Sequence, residues 1–337
     1  MLKYQMKEMS LLSQLPQITS KKGWPWDEEV VLNNYDSKQH WPKISIVTPS
    51  YNQGNYIEET IRSILLQNYP NLEYIIIDGG STDDTVQIIK KYERWITFWV
   101  SEKDKGQANA INKGIEKCTG DIFNWINSDD YLSPKALVNI AGAFVKGRTV
   151  AGSVFNFYDD NPDFKDIIKN KDLSIDKFLS LKDTFHQPGI WCDLDNIKAT
   201  GKFSESSSYY FDRIFFSSYF LQFNEVMYID DILVHFRYHE NSKTLVIRDS
   251  KADELIDHYM LLLKNPMFKT NRKQLLRGLN YQLLPEKHIS NWEYENAHKK
   301  LKSRLSSYFA LMIKNPGLLI SRHFFTKFKR SVLYNLT

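Results

Sequence analysis

At 337 residues, with 42% apolar and 25% charged side chains, the chain has the composition of a globular protein with room for one large domain and an appendage, which excludes a disordered or fibrous class. Its two cysteines, Cys118 and Cys192, lie far apart and in no metal-ligand spacing, which excludes a disulfide framework and a thiolate metal site and suits a reducing cytoplasm. The net charge of +4 is unevenly placed, because nine cations and no acid lie between Asn296 and the C-terminus.

No stretch approaches the ~20 apolar residues that a bilayer-spanning helix needs, and Met1 to Gln17 lacks the pattern of a secretory signal. A cytoplasmic chain, soluble or peripheral on a membrane face, is therefore expected. Residues 1–42 hold Trp24-Pro25-Trp26 and little periodicity, and read as an arm laid on the main domain.

From Lys43 short apolar runs alternate with amphipathic segments, the pattern of a mostly parallel α/β sheet flanked by helices. Ile44 to Thr48 reads as the first strand. Asn55 then stands as a helix N-cap with Glu58 three residues on, before Ile57, Ile61, Ile64 and Leu65 at the spacing of one buried helical face. Tyr74 to Asp78 reads as the second strand, followed by Gly79-Gly80 and a helix capped by Ser81 with Asp84 at the capping-box position. A third strand fits Ile96 to Val100, a helix Gln107 to Lys117, and a fourth strand Asp121 to Ile126, which runs into Asn127-Ser128-Asp129-Asp130. Ser133-Pro134 marks another helix start. From about 250 the pattern becomes helical, with breaks at Pro266, Pro285 and Pro316, so the main domain is placed at 43–248 and a helical basic region at 249–337.

In such sheets ligands bind beyond the carboxyl ends of the strands. The four strand-end loops, 49–54, 78–82, 101–106 and 127–130, are all small, polar or acidic. Asp129-Asp130 offers a minimal holder for a divalent cation, Mg²⁺ or Mn²⁺, since hard oxygen ligands suit both. An isolated acidic pair reads equally as solvated surface or a helix cap.

Pro49-Ser50-Tyr51-Asn52-Gln53-Gly54, Ile77-Asp78-Gly79-Gly80-Ser81-Thr82-Asp83, Ser101 to Gln107 with Ala110 to Gly114, and Trp125 to Asp130 occur in this order. Together they resemble the family 2 glycosyltransferases of GT-A fold, whose sheet is Rossmann-like. Further on, His186-Gln187-Pro188, Tyr210-Phe211-Asp212 and His235 to His239 with Ser242-Lys243-Thr244 resemble later blocks of bacterial members.

The resemblance implies a metal-dependent hexosyltransferase of surface-polysaccharide synthesis. Its partners would be a nucleotide-sugar donor, a UDP-sugar first, and a glycan or lipid-linked acceptor, and the anomeric configuration would invert. It implies that Tyr51, supported by Pro49, stacks on the base, that Asp78 accepts from base or ribose, and that Asp104, Gly106, Gln107 and Asn112 close over the nucleotide. Asn127 replaces an Asp common in the family, so metal duty passes to Asp130 as direct ligand and to Asp129 near the ribose or a metal-bound water, with His239 as a late metal ligand or a diphosphate contact. Asp212 is implied as the base, although Ile214 stands where a second acid is common, and Glu205 is the alternative. His186 and Trp191 are assigned to the acceptor side.

The chemistry also leaves other readings open: a sugar-nucleotide-forming nucleotidyltransferase, disfavoured by the lack of a cation in 49–54, and a non-catalytic nucleotide- or glycan-binding homologue. The cationic, aromatic tail suits an anionic membrane surface or packing on the domain or a second subunit; no nucleic-acid motif accompanies it.

Overall fold

The computed structural model describes residues 10–31, 40–159, 161, 163–207, 209–240, 242, 251–283, 310 and 312–313. It divides into two compact units: 1–171 with 184–242, and 172–183 with 243–337. Lys243, Thr244 and nearly all of the cationic tail lie outside the described residues.

The first unit is built on a sheet that opens with four parallel strands in the order β3 (Phe98–Ser101), β2 (Leu72–Asp78), β1 (Ile44–Ser50) and β4 (Ile122–Trp125). All seven residues of β1 are buried, as the unbroken apolar runs of a doubly covered sheet require. A short helix α1 (Leu11–Gln14) precedes them, and α2 (Ile57–Leu65), α3 (Thr85–Tyr92) and α4 (Gln107–Lys117) connect them. In α2 the residues Ile57, Ile61, Ile64 and Leu65 are at most 4% exposed, so the expected face is the buried one, each side chain contributing about 1.5–3 kcal/mol. Helix α4 lies so close on β1 that a Cβ at Gly114 would fall 2.5 Å from Val47 Cγ1.

Beyond β4 the sheet changes character. Strand β8 (Ile190–Asp193) is inserted antiparallel, followed by β6 (Thr149–Tyr158), β9 (Val226–Tyr238) and the two-residue β5 (Tyr131–Leu132), with β7 (Lys165–Lys169) on the other side of β6. The helices α5 (Ala136–Ala143), α7 (Leu194–Thr200) and α8 (Phe211–Gln222) complete this half, and α6 (Ile175–Leu179) belongs to the second unit.

Three helix starts differ from the sequence reading. Helix α2 follows Tyr56 rather than Asn55 and has no side-chain cap. Ser81 does not cap α3: its hydroxyl donates to Asp78, and the helix begins after Asp84. Ser133 is drawn into pairing with β9, its N–H donating to Leu233 O, so α5 begins only after Lys135 in left-handed backbone.

Residues 10–31 are fastened by a buried arginine. Arg62, 1% exposed, donates to Pro16 O, Pro25 O and Trp26 O at 2.8–3.0 Å, while Trp24 Nε1 donates to Leu132 O at 2.7 Å. Three charge-assisted donors thus satisfy backbone carbonyls that an irregular segment would otherwise leave unpaired, and the indole ties that segment to Leu132.

The second unit packs α6, α9 (Lys251–Lys264), a 3₁₀ turn (Pro266–Asn271) and α10 (Arg272–Gly278) around Phe178, Leu179, Tyr259, Phe268 and Leu275, each at most 2% exposed. Gly278 permits close approach, since a Cβ there would meet Leu179 O at 2.4 Å.

Candidate active site

The register of the parallel strands brings their carboxyl ends level: Ser50 pairs with Asp78, and Asp78 with Ser101. The first two loops are then stitched together. Asn52, in left-handed backbone, accepts from Thr82 N at 2.9 Å and donates its own N–H to Ser81 Oγ at 2.7 Å; Gly54 N donates to Asp83 at 2.9 Å. On this support Tyr51 stands 60% exposed, while Pro49 is buried within β1.

Asp78 is placed differently from the expectation. It is fully buried, and its two oxygens receive Gly80 N, Ser81 N, Ser81 Oγ and Ser101 Oγ at 2.5–3.1 Å. The carboxylate is consumed by the loops it organises.

The third block divides likewise. Asp104 accepts from Gly106 N at 2.7 Å and lies against Gly79, where a Cβ would come within 2.9 Å of its Oδ2. Gly106 adopts φ +106, which favours glycine, and starts α4. Gln107 turns toward the acidic block, its Nε2 donating to Asn127 Oδ1 at 2.7 Å. Asn112 does not: it is buried, clamps Phe203 N and O at 2.9 Å each, and donates to Glu205. It holds residues 203–205 in place instead of facing a ligand.

In the acidic block Asn127 Nδ2 donates to Asp130 Oδ2 at 3.1 Å, and Arg237 N, from the end of β9, donates to Asp130 Oδ1 at 3.0 Å. Asp130 is 1% exposed, and burial, followed by the charge of Asp129, holds its carboxyl well above the usual range. The expected direct ligand thus lies in the interior, behind a less deeply buried pair. That pair is Asp129 and His239, with Asp129 Oδ2 at 3.0 Å from His239 Nε2. The His239 ring lies 4.5 Å from the Tyr56 ring, and its Nδ1 is buried with no hydrogen-bond partner among the described residues.

Arg237 ties the two halves of the sheet to this block, a function its sequence position did not announce. Its Nε donates to Asp129 O at 3.0 Å, Nη2 to Glu59 at 2.6 Å and Nη1 to Asp159, and its guanidinium lies over Phe157 and Tyr56 at 4.8 and 5.1 Å. Burial raises the Glu59 carboxyl while Arg237 lowers it, a conflict in which desolvation prevails. The available signal was the Arg-x-His spacing of residues 237–239 at the end of a strand whose preceding residues, Ile232 to Phe236, are apolar but for His235. Among the described residues no three His, Cys, Asp or Glu side chains form a ready cage for a metal.

Asp212 stands apart, in the first turn of α8, its Oδ1 accepting from Arg213 N at 2.6 Å. Nearby, Phe211 joins Phe203, Phe216 and Trp125 in one aromatic cluster. Burial pushes the Asp212 carboxyl up to about 6 although part of its surface stays accessible. Glu205 is the opposite case, exposed and held low by donors from Asn109 and Asn112. His186, bonded to Asn156 at 2.9 Å, is pushed down to about 4 by burial. Trp191 is a core residue at 0% exposure and does not face an acceptor surface.

Residues 45–193 match the sequence profile of Glycosyl transferase family 2. An uncharacterized glycosyltransferase of Rickettsia typhi is 26% identical over 256 residues, 73% of this chain and 78% of its own length. The putative teichuronic acid biosynthesis glycosyltransferase TuaG of Bacillus subtilis is 41% identical over 92 residues, of which this chain spans 36% of the relative's length. Among solved structures, TarS 1–349 of S. aureus in complex with UDP-GlcNAc superposes with TM-score 0.59 at 17% identity, over 82% of this chain and 90% of that one. The mannosyltransferase PcManGT of Pyrobaculum calidifontis, in complex with GDP-Man and Mn²⁺, gives 0.54 at 18% identity, over 88% of each. The ordered loops and the matching profile agree that residues 45–193 form a family 2 glycosyltransferase domain, and the solved structures share its GT-A fold.

Proposed function

We propose that the protein transfers a hexose or amino-hexose from a nucleotide diphosphate, UDP in the first instance, to a hydroxyl of a glycan or lipid-linked acceptor in bacterial surface-polysaccharide synthesis. The observation that carries the reading is the Asp129–His239 pair, 3.0 Å apart and fixed from behind by Arg237 and Asp130. The name of TuaG supports the substrate class, and the ligands of TarS and PcManGT support a nucleotide-sugar donor.

The donor set fits a divalent cation. A half-buried carboxylate faces an imidazole whose far nitrogen has no hydrogen-bond partner among the described residues, and the carboxylate behind them lacks a full countercharge. Asp129 and His239 would hold the ion, with Asp130 supplying charge from the interior. The cation, when bound, would offset the charge that grows on the departing diphosphate. Asn127 does not mark a dead site in this reading, because its amide donates to Asp130 where a carboxylate would repel it.

The chain's residues supply the remaining steps. Tyr51 gives the base a face to stack on. Asp212 takes the proton of the acceptor hydroxyl as that oxygen bonds to the anomeric carbon and the bond from that carbon to the phosphate oxygen breaks, in one in-line displacement with inversion. A carboxylate lifted to about 6 is still ionised at neutral pH and is a stronger base than an ordinary aspartate. Its low value argues against Glu205 in this role.

The test incubates the full chain with Mn²⁺ or Mg²⁺ and a panel of nucleotide sugars, reading donor hydrolysis and binding of nucleotide and metal. Metal-dependent binding of one donor class supports the reading; failure to bind any nucleotide or metal sinks it.

A further inference from the structure

The second unit carries a surface feature that the sugar-transfer reading does not use. Between Asp257 and Glu286 the sequence has five cations and no acid: Lys264, Lys269, Arg272, Lys273 and Arg277. All five are exposed, and among the described residues none of them pairs with a carboxylate. Four of them, Lys269, Arg272, Lys273 and Arg277, line one open cavity of about 670 Å³ together with Thr270 and Asn280. Uncompensated like charges repel, so this cluster carries an electrostatic cost in the isolated unit that an anionic surface would relieve.

The same stretch of chain exposes large apolar side chains. Met260 and Leu261, at the end of α9, are 46% and 65% exposed, and Met267, in the 3₁₀ turn, is 60% exposed. Lys264 follows Met260 by four residues and Leu261 by three, so cation and apolar groups share one side of the last turn of α9. The turn is rigidly built: Asn265 accepts from Met267 N at 3.0 Å, and Phe268 and Leu275 anchor the flanking helices in the core at 2% and 0% exposure.

We propose that this corner of the second unit is a docking surface for an anionic lipid bilayer. Charge complementarity selects the occupant. The cations meet phosphate headgroups while Met260, Leu261 and Met267 enter the boundary between headgroups and acyl chains. Exposed apolar side chains close in sequence to cations that pair with no carboxylate among the described residues suit a surface that is anionic outside and apolar within, whereas a nucleic acid or a free phosphate would gain nothing from the exposed Met and Leu side chains. The proposal is independent of the sugar-transfer reading and concerns residues well before the cationic tail.

Sedimentation of the full chain with vesicles of phosphatidylcholine alone, or with 30% phosphatidylglycerol, tests it. Binding to the anionic vesicles is expected, weakening as salt rises. Because each juxtaposed cation contributes about fivefold, Lys269→Gln with Lys273→Gln should lower partitioning roughly 30-fold. Met260→Ser, Leu261→Ser and Met267→Ser together should also release the protein while leaving its affinity for poly(U) unchanged. All five positions are exposed, so the melting temperature should hold, and the intact tail in every variant means that any loss comes from this corner. Equal partitioning of parent and variants, equal binding to neutral vesicles, or poly(U) binding that the vesicles fail to compete would each overturn the proposal.

Discussion

Asp78 and Asp130 are aspartates at the same end of one sheet, both at most 1% exposed, yet the structure treats them in opposite ways. Asp78 receives four hydrogen bonds from residues no more than 23 positions away, enough to replace the water it lost. Asp130 receives one from Asn127 and one from a backbone N–H 107 residues later, and its carboxyl remains well above the usual range. The number of donors, not residue type or burial, separates an acid that finishes a loop from one that still gains by a nearby cation.

Asp212 extends the comparison to an acid held by desolvation, and here the largest effect is expected. Asp212→Asn should cut turnover by about 10²–10⁴ with nucleotide affinity retained. In the parent enzyme activity should fall on the acid side through about pH 6. The sign for stability follows from a folded value above the unfolded one. The folded state gains from this group only while it is protonated, and loses that gain as pH rises through about 6. The Asn variant should therefore melt higher than the parent above pH 6, with the gap closing toward pH 4; a flat gap, or no acid limb, would break the assignment.

The two buried acids can be set against each other directly. Asp130→Asn should weaken Mn²⁺ binding by about 10–100-fold, the range for groups behind a metal's direct ligands, with little loss of apo-protein stability. Asp78→Asn should do the reverse, costing about 1–3 kcal/mol in a denaturant titration because a buried amide leaves donors unmatched, while Mn²⁺ affinity holds. Equal effects on both readouts would dissolve the distinction.

The smallest expected change is at Tyr51. Because it is 60% exposed, Tyr51→Ala should weaken nucleotide binding by roughly fivefold, the low end for stacking on a base, without changing kcat. A drop in kcat alone would show that the ring serves the loop and not the base.

Much of the parallel half was legible because its signals are local. The Gln107–Lys117 helix and the buried face of α2 follow from spacing alone. Helix starts were less so, since the Ser81 hydroxyl is taken by Asp78 and the Ser133 backbone by β9. The antiparallel insertion of β8 between β4 and β6 has no local signature, because each of its pairings joins residues far apart in sequence. The site shows the same limit. Motif order located Asp129 and His239, but which of two adjacent aspartates turns outward depends on Arg237, more than a hundred residues away. Asn112 was assigned by motif to the ligand, and only the fold reveals that Phe203 occupies both ends of its amide.

The pairing of Asp129 with His239 has a consequence for biosynthesis. On the ribosome the whole parallel half of the sheet, β1 to β4 with its loops, emerges some 110 residues before the imidazole that completes the pair. A nascent or prematurely terminated product ending ahead of β9 would hold the four parallel strands and their acids but neither Arg237 nor His239, and so would carry the outline of the donor site without the means to use it.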